Sequence, residues 1–110
     1  GTFSRVLGRY VRERGAVGLV EALGKMTFMP ARRLEPVAPA MKNKGRLREG
    51  ADADVTVFDP AAVRDTATFE TDLSFSEGIR HVLVAGSFVV KDGASVPNAF
   101  PGRAVTGTAR

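Results

Sequence analysis

The sequence contains no cysteine and no tryptophan, and its only histidine is His81. Without cysteine there can be no disulfide, no thiolate metal ligand and no cysteine nucleophile. Zinc sites in proteins usually take three or four side-chain ligands of N, S or O type, and one histidine cannot form a His-x-His pair. These absences point away from a zinc site built by this chain alone.

Long apolar runs are also missing. No run approaches the roughly 20 residues that span a bilayer, and Gly1–Ser4 do not begin the apolar stretch of a signal peptide. We therefore expect a cytoplasmic protein that does not enter a membrane. The remaining composition is ordinary, with 44% hydrophobic and 25% charged residues in a chain of 110, which is enough for one small domain with one core.

The charge is unevenly distributed. Residues 1–48 contain 11 basic and 3 acidic side chains, whereas residues 49–110 contain 5 basic and 9 acidic ones. Such a basic half fits either a nucleic-acid partner or the solvated face of arginine-rich amphipathic helices. Because the basic residues are spread out, with no run longer than Arg32-Arg33, the solvated face is favoured and no specific nucleic-acid partner is predicted.

The first half has the apolar spacing of helices. One stripe with spacings of three and four predicts a helix over about residues 3–14, ended by Gly15. A second helix is predicted over about 19–26 and a short turn over 30–34, followed by a loop over 35–44. The stripe consists of Phe3, Val6, Leu7, Tyr10 and Val11.

The second half changes to the period of strands. A strand is predicted over 53–59, and two more form a hairpin around Gly86-Ser87. Asp92-Gly93 is a second turn signal. The strands of the hairpin are residues 79–85 and 88–91, and a last short strand is predicted near 103–105. Helices followed by strands indicate an α+β fold.

Few side chains are candidates for chemistry. Asp52 and Asp54 could bind a divalent cation from one face of a strand, or they could accept backbone N–H bonds where the strand begins. The second reading is favoured because no third ligand is near in sequence. His81 lies in an apolar strand and is predicted to pack there, and the serines have no neighbouring base. We therefore predict no catalytic, cofactor-binding or metal-binding residue in this chain.

Two motifs carry a resemblance to a known enzyme superfamily. Residues 44–60, Lys-Gly-Arg-Leu-Arg-Glu-Gly-Ala-Asp-Ala-Asp-Val-Thr-Val-Phe-Asp-Pro, resemble the amidohydrolase tail pattern Gly-x-Leu/Ile-x-x-Gly-x-x-Ala-Asp followed by an apolar strand. This resemblance implies turns at Gly45 and Gly50, a short strand over 46–49 and a buried strand over 54–58. Residues 27–34 are similar to the superfamily's Thr-x-x-Pro-Ala-x-x-Leu, in which the proline begins a helical turn.

The ends of the chain indicate a branch. Residues 1–10 are similar to the Gly-Thr-Phe-x-Arg-Val-Leu-Gly-x-Tyr stretch of N-acyl-D-amino-acid deacylases, and residues 67–69, 77–80 and 100–103 also resemble that branch. The chain departs from the branch where Glu35-Pro36 replaces Gly-Leu. The resemblance implies that residues 1–44 are the last helices of a TIM-type barrel. It also implies that residues 45–110 are the C-terminal part of a small composite β-sandwich.

The resemblance implies a parent enzyme that uses zinc to hydrolyse the amide C–N bond of a small N-acyl-D-amino acid. Its metal ligands would lie upstream of Gly1, and Gly1–Phe3 would lie near the mouth of the site. The chain alone is expected to bind no zinc, to be inactive, and to self-associate as a homodimer or larger oligomer. The alternatives are a dihydroorotase-like or hydantoinase-like amidohydrolase, and a non-enzymatic interaction module that uses the basic half.

Overall fold

The computed structural model describes residues 1–71 and 74–108 of the chain. Helices come first: α1 (Thr2–Arg5), a π-helical segment (Val6–Glu13), α2 (Leu19–Met26), α3 (Phe28–Leu34) and a 3₁₀ helix (Pro39–Asn43). Strands follow: β1 (Val55–Phe58), β2 (Ile79–Val84), β3 (Ser87–Lys91) and β4 (Ala94–Ser95). This order confirms the predicted α+β class. None of the helices within the described ranges is long and apolar enough to cross a membrane.

The first helix has the predicted length, but most of it is wound as a π-helix. The amide N of Arg14 donates to the carbonyl oxygen of Arg9 at 3.0 Å, five residues back, and Gly15 then leaves the helix with a φ of 58°. The predicted apolar stripe is buried only in part. Leu7 is buried, whereas Phe3 and Tyr10 are 65% and 40% exposed.

The next helices begin close to their predicted positions. α2 has the predicted bounds, but α3 starts at Phe28 instead of Pro30. Pro30 is therefore the third helical residue, where a missing N–H removes no intrahelical bond. Thr27 does not cap α3, because its hydroxyl donates to the carbonyl oxygen of Leu23 at 2.7 Å. The predicted loop over 35–44 contains the 3₁₀ helix, which Pro39 begins.

The four strands form one antiparallel sheet in the order β1-β2-β3-β4. Both tight turns of the sheet have two successive residues with positive φ, Ala85-Gly86 at 49° and 79° and Asp92-Gly93 at 52° and 80°. This is the geometry of hairpin turns whose twist matches that of the strands. The predicted hairpin is confirmed, with its turn one residue earlier than expected.

Two predicted strands are wrong. Residues 103–105 form no strand, and the chain instead makes its last pairing at Ala94–Ser95, directly after the second turn. Residues 46–49 are also not a strand, because the amide N of Ala51 donates to the carbonyl oxygen of Arg48 and closes a turn there. The Arg46 guanidinium donates hydrogen bonds to the carbonyl oxygens of Met41 and Lys44 and so stabilises the backbone that precedes it.

The core is small and lies where the helices meet the segment that follows β1. Val63 is fully buried, and its neighbours Leu7, Val11 and Phe58 line an apolar cleft of about 200 Å³ beside it. Helices pack on helices and strands pair with strands. The strand expected to be buried, β1, is only half-buried: its end residues Val55 and Phe58 are partly buried, and Thr56 and Val57 between them are exposed.

Candidate functional site

The segment expected near the mouth of the parent's site borders an open cleft of about 440 Å³. Asp65 is its most enclosed polar group, with a side chain only 7% exposed. The Asp65 carboxylate accepts hydrogen bonds from Arg5 Nε at 2.8 Å and from the amide N of Ala67 at 3.2 Å. The cleft is lined by Gly1, Thr2, Arg5, Val6, Tyr10 and Asp65.

The charge of Asp65 is fixed by these partners. The Ala67 N–H bond, assisted by the Arg5 guanidinium, holds the pKa of Asp65 below its ordinary value. A carboxyl that stays ionised and paired cannot serve as a general acid near neutral pH. The arrangement therefore anchors α1 to the loop after Val63, a contact between residues sixty positions apart in sequence.

Arg5, Arg9 and Arg14 lie along a second open cleft, of about 410 Å³. Acidic groups are interspersed with them: Arg64 pairs with Glu77 at 2.6 Å and Arg5 with Asp65 at 2.7 Å. This mixture of charges fits the predicted solvated face better than a continuous cationic groove. The cleft is lined by Arg5, Arg9, Glu13, Arg14, Arg64, Asp65 and Ala67.

An ammonium group occupies the space between the two candidate metal-binding aspartates. Lys44 Nζ lies 2.9 Å from Asp52 Oδ2 and 2.5 Å from Asp54 Oδ2. Asp54 also accepts the backbone N–H of Ala85 at 2.8 Å, which confirms the predicted backbone role for that aspartate. Lys44, ten residues before Asp54, is the partner that sequence reasoning missed.

Lys44 and Asp54 shift each other's pKa. The hydrogen bond from Lys44, together with the N–H of Ala85, lowers the pKa of Asp54, and the bonds to Asp54 and Asp52 raise the pKa of Lys44. Both effects favour the charged forms. The cluster thus ties the segment before β1 to the turn between β2 and β3.

His81 is packed in the sheet, as predicted. Its ring meets Phe88 edge to face, with centroids 5.6 Å apart, and its Nδ1 accepts the backbone N–H of Asp92 at 3.2 Å. Because Nδ1 accepts, the proton of the neutral ring sits on Nε2. His81 therefore braces the turn between β3 and β4.

The residues present do not fit a zinc ion. Within 1–71 and 74–108, no three histidine, aspartate or glutamate side chains come together as a ligand set. Asp52 and Asp54 are a pair of carboxylates without a third, and both are already paired with the Lys44 ammonium group. That this chain has no catalytic or metal-binding residue remains a prediction.

The two amidohydrolase-like motifs, residues 27–34 and 44–60, pack against each other. The Arg46 guanidinium lies 4.9 Å from the centre of the Phe28 ring and bonds to Glu35. Gly45 has a φ of 67°, and a Cβ there would lie 2.6 Å from the carbonyl oxygen of Thr27. The junction between the helical and strand halves is therefore one interlocked unit that requires glycine at position 45.

Comparison with known proteins identifies similar sequences. The N-acyl-D-glutamate deacylase of Alcaligenes xylosoxydans xylosoxydans is 46% identical over 103 residues, which are 94% of this chain and 20% of that protein. The D-aminoacylase of the same organism is 44% identical over 94 residues, 86% of this chain and 18% of the relative. Its N-acyl-D-aspartate deacylase is 42% identical over 86 residues. No protein-family model matches the chain.

Solved structures of D-aminoacylase and N-acyl-D-glutamate deacylase are also similar to this chain. A D-aminoacylase studied for its binuclear metal centre superposes with a TM-score of 0.87 at 39% identity, over 96% of this chain and 21% of its own. The N-acyl-D-glutamate deacylase of Bordetella bronchiseptica, complexed with zinc and a phosphonate inhibitor, superposes at 0.74 with 46% identity, over 81% of this chain and 18% of its own. The resemblance is confirmed: the homologues are N-acyl-D-amino-acid deacylases, and the chain spans about one fifth of their length.

Proposed function

We propose that this chain is the C-terminal segment of a metal-dependent amidohydrolase that converts an N-acyl-D-amino acid into a D-amino acid and a carboxylate. The observation that carries the proposal is 46% identity with an N-acyl-D-glutamate deacylase across 94% of the chain. The D-aminoacylase superposition over 96% of the chain supports the same assignment. The proposal extends to a small-molecule substrate and a cytoplasmic parent enzyme.

The proposal divides the chain into two parts. Residues 1–44 are the terminal helices of the parent's TIM-type barrel, and residues 45–110 are the C-terminal part of its β-sandwich. The last helical segment ends at Asn43 and the first strand begins at Val55, which supports a boundary in this interval. A TIM barrel takes about 250 residues, so the chain would contribute only the end of one.

The described residues have a supporting role in this assignment. When bound in such an enzyme, zinc activates water and polarises the amide carbonyl. The described part of this chain has no ligand set for the ion, and the proposal takes the ligands from the rest of the parent. The residues near Gly1 serve to hold the approach to the site, with the Arg5–Asp65 pair as their anchor.

Self-association of the isolated chain is part of the proposal. Phe3 and Tyr10 leave apolar surface on the first helix, and β1 is an outer strand of the sheet. Exposed apolar patches and unpaired strand edges both favour association. A homodimer or larger oligomer of the 110-residue chain is therefore expected.

The test is the activity of the full-length parent on matched substrates. We expect zinc-dependent release of D-glutamate or another D-amino acid from its N-acyl derivative, with the L-isomer as the stereochemical control. Turnover of a dihydropyrimidine or hydantoin instead would assign the parent to another amidohydrolase branch. Salt-resistant, sequence-selective binding of nucleic acid without amidase activity would favour an interaction module.

A further inference from the structure

The π-helical segment gathers arginines on one side of the first helix. The amide N of Arg14 donates to the carbonyl oxygen of Arg9 at 3.0 Å, so these two residues stack one turn apart. In a regular α-helix, residues five apart in sequence lie about 140° apart around the axis. Arg5 precedes Arg9 by four residues, a spacing that also shares a helix face. The π winding, which the proposed reaction leaves unexplained, therefore accompanies the meeting of Arg5, Arg9 and Arg14 in one cleft.

A fourth arginine, Arg64, lines the cleft from the segment after β1. A Cβ on Gly8 would lie 2.8 Å from the carbonyl oxygen of Val63 and 3.3 Å from the Cα of Arg64, so glycine lets the helix approach this backbone. Backbone hydrogen bonds exchanged between Arg64 and Glu77, at 3.2 and 3.0 Å, hold the segment in place. The concave surface of about 410 Å³ is called the arginine cleft below, after Arg5, Arg9, Arg14 and Arg64.

The carboxylates in and beside the arginine cleft are already paired. They form three ion pairs: Asp65 with Arg5 at 2.7 Å, Glu77 with Arg64 at 2.6 Å and Glu13 with Arg12 at 3.7 Å. Within residues 1–71 and 74–108, neither Arg9 nor Arg14 forms a salt bridge. Arg14 instead lies over the ring of Tyr10, 5.6 Å from its centre. In the described part of the chain, the cleft therefore keeps two positive charges without a counterion.

We infer that the arginine cleft binds a small oxyanion with two negative charges, a phosphate or a dicarboxylate. Planar guanidinium groups bind the oxygens of both kinds of ligand through paired, charge-assisted hydrogen bonds. Two like charges on one helix face repel each other, and a dianion between them removes that repulsion. Because carboxylates are interspersed with the arginines, a single small anion fits the cleft better than a nucleic-acid strand, which needs a row of cations. The inference goes beyond the proposed amide hydrolysis and does not depend on it.

The experiment titrates the 110-residue chain with inorganic phosphate, by calorimetry and by NMR of the arginine side-chain N–H groups. The buffer is mildly alkaline, so that phosphate carries two charges, and its ionic strength is constant. N-acetyl-D-glutamate is the second dianion, and acetate is the singly charged control. Arg14→Gln is compared with Arg33→Gln, because both remove one exposed positive charge but Arg33 lies on α3, outside the cleft. Arg14→Lys keeps the charge without the planar fork.

Thermal unfolding of each variant checks that it folds. If Arg14→Gln does not fold, Arg9→Gln repeats the test from the preceding turn of the helix.

We expect saturable phosphate binding that Arg14→Gln weakens about tenfold, the contribution of one charge-assisted hydrogen bond. Arg33→Gln should weaken it less than about twofold, because salt screens a distant charge, and Arg14→Lys should fall between the two. Preference for phosphate would identify a phosphate-bearing ligand and preference for N-acetyl-D-glutamate a dicarboxylate, and either result supports the inference. Absence of saturable binding, equal weakening by Arg14→Gln and Arg33→Gln, or acetate binding as tight as that of phosphate would overturn it. So would a DNA duplex that displaces phosphate and binds more tightly, because the ligand would then be a polyanion.

Discussion

Val63→Ala is the substitution that most directly tests the small core. Val63 is fully buried between the first helix and the sheet, while its backbone is held by Asp59 and Arg12 through atoms that the substitution keeps. Removing two methyl groups loses about 1.6 kcal/mol of burial, and the space left behind adds about 1 kcal/mol. We therefore expect a loss of about 2–3 kcal/mol, out of a stability of about 5–15 kcal/mol for a chain of this length.

The measurement is equilibrium urea unfolding of the 110-residue chain, followed by circular dichroism. Val20→Ala is the matched control, because Val20 is 84% exposed on α2 and alanine is the better helix former. The control should change the free energy of unfolding by less than about 0.5 kcal/mol. If Val63→Ala shifts the midpoint no further than Val20→Ala, the region around Val63 is not the core.

Three further predictions concern backbone, charge and metal. Gly45→Ala should destabilise the chain more than Gly50→Ala in urea unfolding, because both have positive φ but only at Gly45 does a Cβ meet backbone, that of Thr27; equal losses would contradict this. The folded-state pKa of Asp54 is lowered, so its stabilisation exists above the unfolded pKa of about 3.9 and disappears as pH falls through the folded value. The difference in stability between wild type and Lys44→Met should therefore shrink in acid, and a pH-independent difference would refute the link. Finally, calorimetry should find no submicromolar zinc site in the isolated chain, and assays should find no deacylase turnover; either would contradict the absence of a ligand set.

Local signals predicted much of the secondary structure. The apolar spacing after Phe3 gave the length of the first helix, and Gly86 and Gly93 marked both hairpin turns, because positive φ is inexpensive for glycine. The secondary-structure predictions failed where tertiary contacts outweighed the local conformational preference of the chain. The side-chain bonds of Arg46 set a turn where a strand was expected, and the π winding accompanies the close approach of Gly8 to Val63.

The candidate site was less predictable than the fold. Composition alone predicts that ligands are scarce, since one histidine and no cysteine are visible in the sequence itself. The partners of the charged groups were not visible, because Arg5 meets Asp65 across sixty residues and Lys44 reaches two aspartates through a turn. The relation to deacylases came from motif resemblance, which carries information that periodicity and charge do not.

The π winding of Val6–Glu13 limits which genetic changes this segment tolerates. Deleting a single codon there could rewind the segment as a regular α-helix of similar length, but everything before it would rotate by about 100°. The Arg5 guanidinium would then swing away from Asp65, and Gly1–Phe3 would move with it. In-frame deletions in this segment should therefore be selected against. Substitutions at Arg9, whose side chain is exposed, should be tolerated by the fold.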